Sequence, residues 1–321
     1  MSDRINIVQA HLGPEVPRHI YAQMRQTRVF NPDTPLYLIL SSGADYDKRA
    51  VDEVGAIIVR KESLRKCRSH RRFLRRNRLN RRSLGGFWLF ASERFFAIES
   101  FLEACRLENV VHVENDVMLY VDLDHCLPAL GTRCPRIGIT MDSDTRCVPG
   151  FVFIRDPEAL AVMDDFIVRE ALKKTKNDMR ALALFMNRMA PDACSALPVI
   201  PPSYRSLWPL VNAQGENAER PWYDEAFDAF GGVFDAAALG QFLGGVDSKV
   251  SDRDTVGFVS ETAVYDPRRM GLSWKQERGS WRPYGKVGDT EFPIFNLHVH
   301  SKRLEDFSSA RLAPPAAVSS S

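Results

Sequence analysis

Three short apolar runs near the start set the fold class before any motif is considered. They are Ile5-Asn6-Ile7-Val8-Gln9-Ala10, Leu36-Tyr37-Leu38-Ile39-Leu40 and Gly55-Ala56-Ile57-Ile58-Val59. Each has the length and β-branched content of a buried strand. Between the first two, His19 to Phe30 places Ile20, Met24 and Val29 or Phe30 at helical spacing, and Asn31-Pro32-Asp33-Thr34-Pro35 ends it. Ser41-Ser42-Gly43 closes the second run, and a polar helical turn leads to the third. This β-α-β-α-β order predicts a parallel sheet with right-handed crossovers. With 321 residues, 45% of them hydrophobic, the chain can bury a sizeable core.

The pattern continues to near residue 307. A long helix is expected from Phe87 to Leu107, then a strand at Val110, then a short helical piece ending at Pro128. Arg136 to Met141 and Gly150 to Ile154 read as strands. Asp156-Pro157-Glu158 opens a helix running to about Lys173, with Asp as N-cap and Pro at the first helical position. A further helix starts near Asn177-Asp178 and ends before Pro191. Pro198 to Pro209 reads as extended, Phe234 to Gly245 as a short capped helix, and Phe292 to His300 as a late strand. The expectation is one catalytic domain over 1–307, with a basic insertion at 60–82 and a disordered tail at 308–321.

Bulk properties exclude several classes. The net charge is +2, so the chain is no polyelectrolyte, and no window is apolar enough to span a bilayer. Six cysteines form no CxxC pair, and the chain starts Met-Ser-Asp-Arg without an apolar leader; a reduced cytoplasmic setting is expected, peripheral to a membrane at most. Neither a GxxxxGK[ST] phosphate loop nor a GxGxxG fingerprint occurs, against P-loop enzymes and ordinary dinucleotide dehydrogenases.

The chemistry is concentrated at two places. Val110-Val111-His112-Val113 ends abruptly in Glu114-Asn115-Asp116. A turn would explain these acids, but a valine-dominated run ending in two carboxylates fits a buried strand whose carboxyl end carries ligand-binding side chains. Hard oxygen donors there suit a divalent cation holding a phosphate. Asp116 is the stronger metal ligand; Glu114 acts through a water or on a donor ribose. The second place is Asn296-Leu297-His298-Val299-His300-Ser301-Lys302, where alternation puts His298 and His300 on one face, with Lys302 in register if the strand persists. Imidazole suits manganese, whereas magnesium prefers oxygen alone. Lys302 would neutralise a diphosphate.

Other acids have plain explanations. Asp178 at a helix start complements the helix dipole, and Asp235 reads as a cap. Asp142 and Asp144, beyond the Ile137 strand, are candidates for binding hydroxyl groups. Residues 60–82 hold a dense run of arginines with only Leu64, Phe73, Leu74 and Leu79 strongly apolar, which gives no clean amphipathic stripe. Such a run attracts anionic acceptors, donor phosphates or an anionic membrane surface. It lacks the interleaved aromatics of a nucleic-acid platform.

Glu114-Asn115-Asp116, the glycine-bearing strand Val148-Pro149-Gly150-Phe151-Val152-Phe153-Ile154, and His298-Val299-His300-Ser301-Lys302 together resemble the nucleotide-sugar-dependent glycosyltransferases of the GT-A fold. The first looks like their DxD motif, with Glu in the leading position. The resemblance implies a Rossmann-like, mixed, mostly parallel α/β sheet flanked by helices, with irregular C-terminal additions on the acceptor side. It implies transfer of a sugar from a nucleoside diphosphate to an acceptor hydroxyl, in surface glycan or polysaccharide synthesis, aided by a divalent cation, Mn2+ over Mg2+. Ala10, His11 and Gly13 would hold the nucleotide, with Glu114, Asn115 and Lys302 on the donor diphosphate side. Asp116 and His298 or His300 would complete the metal shell. Asp142 and Asp144 would lie on the acceptor side, and Asp235 or Asp178 would serve as base or sugar-orienting group. Two other readings use the same residues differently: a nucleic-acid-binding protein working through 60–82, and a nucleotidyltransferase acting on a triphosphate.

Overall fold

A computed structural model of the protein describes residues 4–77, 86–171, 177–211, 218, 220–247 and 256–311. In chain order the strands of the main sheet are β1 (Asn6–His11), β2 (Leu36–Leu40), β3 (Ile57–Arg60) and β4 (Val110–Val113). A short strand outside it, β5 (Val117–Leu119), precedes β6 (Ile137–Ser143), β7 (Arg146–Ile154) and β8 (Cys194–Leu197). The seven sheet strands lie in the order β3-β2-β1-β4-β7-β6-β8. β7 alone runs against its neighbours; every other pairing in the sheet is parallel. This mixed, mostly parallel sheet flanked by helices is the fold class the sequence implies.

Strand alternation divides the core in two. Ile5, Ile7, Val111 and Val113 face α1 (His19–Phe30), α2 (Lys48–Glu53) and α5 (Leu123–Arg133). Val8, Val110, Val152 and Ile154 face α4 (Phe87–Cys105), α6 (Pro157–Phe166) and α7 (Asp178–Met189). Strands covered on both faces explain why the runs read as almost continuously apolar. Three further helices, α8 (Pro202–Leu207), α9 (Phe227–Phe230) and α10 (Ala238–Gly244), belong to the C-terminal half. There β9 (Gly271–Glu277), β10 (Ser280–Val287) and β11 (Thr290–Pro293) form an antiparallel meander. β12 (Asn296–His298) instead pairs antiparallel with β5.

Local differences from the sequence reading have physical causes. The helix expected to stop at Pro128 continues to Arg133, because Leu123, Cys126 and Leu130 form a buried stripe that outweighs the one hydrogen bond a proline deletes. The extended 198–209 segment contains α8, opened by Pro202 at its first turn. Asp142 lies within β6, since that strand runs on through Ser143. The expected tail is anchored at its start: Ser309 is fully buried and its N–H donates to Gln26 Oε1 at 2.9 Å. Residues 312–321 lie outside the described residues.

Part of the basic insertion is helical, as α3 (Arg68–Arg76), and it has a buried side. Phe73 stacks on Phe96 of α4 with ring centroids 4.5 Å apart. Ser69 donates to Glu99, and His70 Nε2 lies 3.1 Å from Glu93 Oε1. The apolar stripe missing from the sequence is replaced by polar groups with buried partners. Residues 78–82 of the insertion lie outside the described residues.

Behind this contact Asp164 of α6 is fully buried against the Glu99 carboxyl, and no nitrogen or hydroxyl donor among the described residues reaches either of its oxygens. Burial, reinforced by Glu99, pushes its carboxyl well above the ordinary range. The folded chain therefore keeps a proton that the unfolded chain loses near pH 4, about the usual aspartate value. The cost of this group grows as pH rises above that point. Asp164→Asn should accordingly melt higher than the wild type at pH 8, with the gap closing at pH 4. A thermal-melting series across that range checks it; a gap independent of pH refutes it.

Candidate active site

The carboxyl end of β4 delivers Glu114, and a turn through Asn115 and Asp116 leads into β5, with Val117 N–H donating to Glu114 O at 3.2 Å. Pairing of β5 with β12 sets Val117 directly opposite His298. Two segments 182 residues apart thereby bring His298 Nε2 to 3.2 Å from Asp116 Oδ2. The same nitrogen is 3.6 Å from Glu114 Oε2. Ligand atoms of Glu114, Asp116 and His298 all lie within 4.8 Å of one another.

Close backbone approach is what allows this. A Cβ on Gly150 of β7 would sit 2.9 Å from both His298 Nδ1 and Val117 Cγ2. One on Gly240 of α10 would sit 2.1 Å from the His298 carbonyl oxygen. Both positions exclude any larger residue without displacing β12. Phe234 packs at 4.8 Å on Phe151 and 5.1 Å on Phe295, which fixes the chain on either side of the approach.

Lys302 follows in a left-handed turn, φ 64°, and its Nζ hydrogen-bonds Asp116 Oδ2. The strand expected to carry His298, His300 and Lys302 in register stops at His298. His300 is turned aside: its Nδ1 accepts the Asp247 backbone N–H at 3.0 Å, and its ring is absent from the carboxylate–imidazole cluster. Of the two histidines, the structure brings His298 to Asp116 and not His300. Burial, with Lys302 close by, takes the His300 imidazole down to about 4.

Arg94 completes the charge pattern. It is a buried guanidinium from α4, with one nitrogen on Glu114 Oε1 and Nη2 donating to Asp178 Oδ2 at 3.1 Å. Burial alone would lower its pKa, but Glu114 and Asp178 raise it instead. Likewise burial would raise the Asp116 carboxyl, yet His298 and Lys302 hold it well below the usual carboxylate range. Glu114 is held down by Arg94 and His298 against the same burial. Burial would lower the His298 imidazole, and Asp116 with Glu114 raises it instead. A buried cation, Arg94, and a partly exposed one, Lys302, thus face three carboxylates, Glu114, Asp116 and Asp178. Two buried carboxylates beside the Nε2 of a buried imidazole form a donor set that suits a divalent cation.

The remaining candidates are spread around this centre. His11 Nε2 contacts Glu15 O at 2.7 Å and its ring folds over Gly13. His19, at the start of α1, lies near Asn115 and feels the charges of Asp116, Lys302 and His11, and its buried Nε2 has no hydrogen-bond partner among the described residues. Burial nevertheless lowers its imidazole. Asp142 is fully buried, 3.2 Å from Arg146 Nε, with its other oxygen unpartnered. Asp144 accepts the Tyr223 hydroxyl. Asp235 is also fully buried; its carboxylate accepts backbone N–H groups from Ala237, Leu239, Gly240 and His298 at 2.8–3.0 Å. Sequence reading missed Arg94 and His19. A Glu-Arg pair inside the aromatic run Phe90 to Phe96 was the available signal for the first; nothing marked the second.

No family model matches the sequence, and no curated protein matches it. Among solved structures the chain is similar to mouse xyloside xylosyltransferase 1 in its apo form, with 8% identity and a TM-score of 0.40, covering 63% of this chain and 90% of that one. It is similar to the galactosyltransferase LgtC in complex with donor and acceptor sugar analogues, with 14% identity, a TM-score of 0.40 and coverage of 68% and 81%. It is also similar to the glycosyltransferase GlyE of Streptococcus pneumoniae TIGR4, with 13% identity, a TM-score of 0.38 and 60% of this chain covered. That match spans less than half, 45%, of the GlyE chain. At these scores the likeness assigns neither reaction nor substrate to this chain.

Proposed function

We propose that the chain is a cation-dependent glycosyltransferase that moves a sugar from a nucleoside diphosphate to an acceptor hydroxyl, in surface glycan or polysaccharide synthesis. The observation that carries this reading is the convergence of Glu114, Asp116, His298 and Lys302 at the carboxyl end of a buried parallel strand. That edge is where open α/β sheets bind their ligands. Glu114, Asp116 and His298 would hold the cation, and the imidazole favours manganese over magnesium. A bound divalent cation supplies charge neutralisation for a leaving diphosphate.

The chain's own groups do the rest. Lys302, a third exposed, is free to turn from Asp116 to an arriving diphosphate. Ala10, His11, Gly13 and Asn115, with His19 near His11 and Asn115, would take the nucleoside. Arg94 fixes Glu114 and aligns Asp178, which becomes the acid best situated to orient the sugar or serve as base. Asp235, filled by four backbone N–H groups, is a positioning residue that clamps the His298 backbone. Asp142 and Asp144 remain the acceptor-side candidates. No helix among the described residues is long and apolar enough to cross a membrane.

The test is thermal melting and turnover against a panel of nucleotide sugars, with and without manganese. One donor should raise the melting temperature only when the cation is present, since ligand binding to the native state stabilises it. Free nucleoside diphosphate should be released in turnover. Release of pyrophosphate from a nucleoside triphosphate and a sugar phosphate would instead identify a nucleotidyltransferase. Indifference to every donor and to the cation would reject the proposal.

A further inference from the structure

The basic face of α3 takes no part in the site described above. Arg68, Arg71, Arg75 and Arg76 are exposed on the side opposite Ser69, His70 and Phe73, and Arg65 extends the row before the helix begins. Of the helix arginines only Arg72 has an ion-pair partner among the described residues, Asp165 of α6. Arg65, Lys66, Arg68 and Arg71 also line a cleft of about 340 Å³ against Glu103 and Ala104 of α4. A row of guanidinium groups without close ion-pair partners among the described residues, with Glu103 facing only Arg65 and Arg71, is a surface made for a plane of negative charge.

A second observation says which plane. Cys67 N–H donates to Ser100 Oγ at 3.2 Å, whereas His70, further along α3, meets Glu93. The two helices therefore run antiparallel, and the start of α4 lies toward the Arg75–Arg76 end of α3. Phe87 stands there, 55% exposed, with Trp88 edge-on at 5.0 Å. An exposed Phe backed by a half-buried Trp beside a basic helix face matches the two layers of a bilayer surface, apolar below and anionic above. A nucleic-acid platform interleaves its aromatic rings with its basic residues, whereas Phe87 and Trp88 stand beyond one end of the arginine row.

We propose that α3 and the Phe87–Trp88 corner dock the protein on an anionic lipid bilayer. The arginines lie against the headgroups and the two rings enter the interface. Trp88 and Arg94 are six residues apart on α4, a rise of about 9 Å. Docking would thus hold the Glu114–Asp116–His298 centre close to the lipid headgroups.

Co-sedimentation of the full chain with vesicles tests this at physiological ionic strength. The chain should pellet with a two-to-one mixture of phosphatidylcholine and phosphatidylglycerol and stay in solution with phosphatidylcholine alone. Each basic side chain near such a surface contributes roughly fivefold, so Arg68→Glu, Arg71→Glu and Arg75→Glu together should weaken binding at least about a hundredfold. Lysine at the same three positions should retain binding, which separates lost charge from lost fold. Phe87→Ser with Trp88→Ser should weaken binding without changing its preference for acidic lipid. The proposal is overturned if the wild type ignores acidic vesicles, if the charge-reversed chain binds as tightly, or if the chain prefers duplex nucleic acid to acidic vesicles in the same buffer.

Discussion

Asp116→Asn should leave a folded protein that no longer responds to manganese. The wild-type carboxylate is the one group that His298 and Lys302 both contact, and their charges hold it ionised. Asparagine keeps its shape and removes its charge. A cation bridging a diphosphate supplies several kcal/mol of charge stabilisation. Losing ~4 kcal/mol of it slows donor turnover about a thousandfold. Manganese titration by calorimetry and donor turnover by nucleotide release are the two readouts, with the melting temperature of the metal-free chain as control. Cation-dependent turnover within tenfold of wild type in the Asn variant would sink the assignment of Asp116. Full activity in the wild type without any divalent cation would remove the cation from the proposal while leaving the donor test standing.

Arg94→Ala should do its damage earlier, at folding. The guanidinium is buried between Glu114 and Asp178, and truncation leaves two buried carboxylates near each other without their cation. Removing one partner of a buried ion pair typically costs about 3–5 kcal/mol, a large part of a domain's stability. The loss should be greatest at neutral pH and shrink toward pH 5. Without Arg94 both buried carboxyls titrate upward, and protonation then relieves the repulsion. Urea unfolding of wild type and variant at the two pH values measures it. An Asp178→Asn change added to Arg94→Ala should recover part of the stability. Equal destabilisation at both pH values would mean that lost packing, and not lost charge, is responsible.

The parts of the fold that local pattern determines could be read in advance. The first three strands, the Val110 strand and the helix starting at Asp156 follow from runs of apolar residues and from capping chemistry, which act over a few residues. Glu114 and Asp116 were visible because acids rarely interrupt a buried run. His298 and His300 were inseparable in the sequence because alternation treats them alike; the turn that sends His300 away begins at Val299, whose N–H bonds the Asp116 carbonyl at 2.9 Å. That is a contact across the whole chain, and no local rule contains it. Arg94 was hidden for the same reason, since its partners come from β4 and α7. The buried side of α3 went unseen because Ser69 and His70 are not apolar; only Glu93 and Glu99 opposite them make their burial tolerable.

The pairing of β5 with β12 also has a consequence for the order of events in the cell. A polypeptide emerges from the ribosome amino end first, and its early segments begin to fold before the late ones exist. All seven strands of the main sheet are present once residue 197 is out. The imidazole and the ammonium that complete the charged centre arrive about a hundred residues later, at His298 and Lys302. A nascent or prematurely terminated chain can thus own nearly all of its scaffold and still lack a working centre. The charged centre can close only after synthesis has passed Lys302.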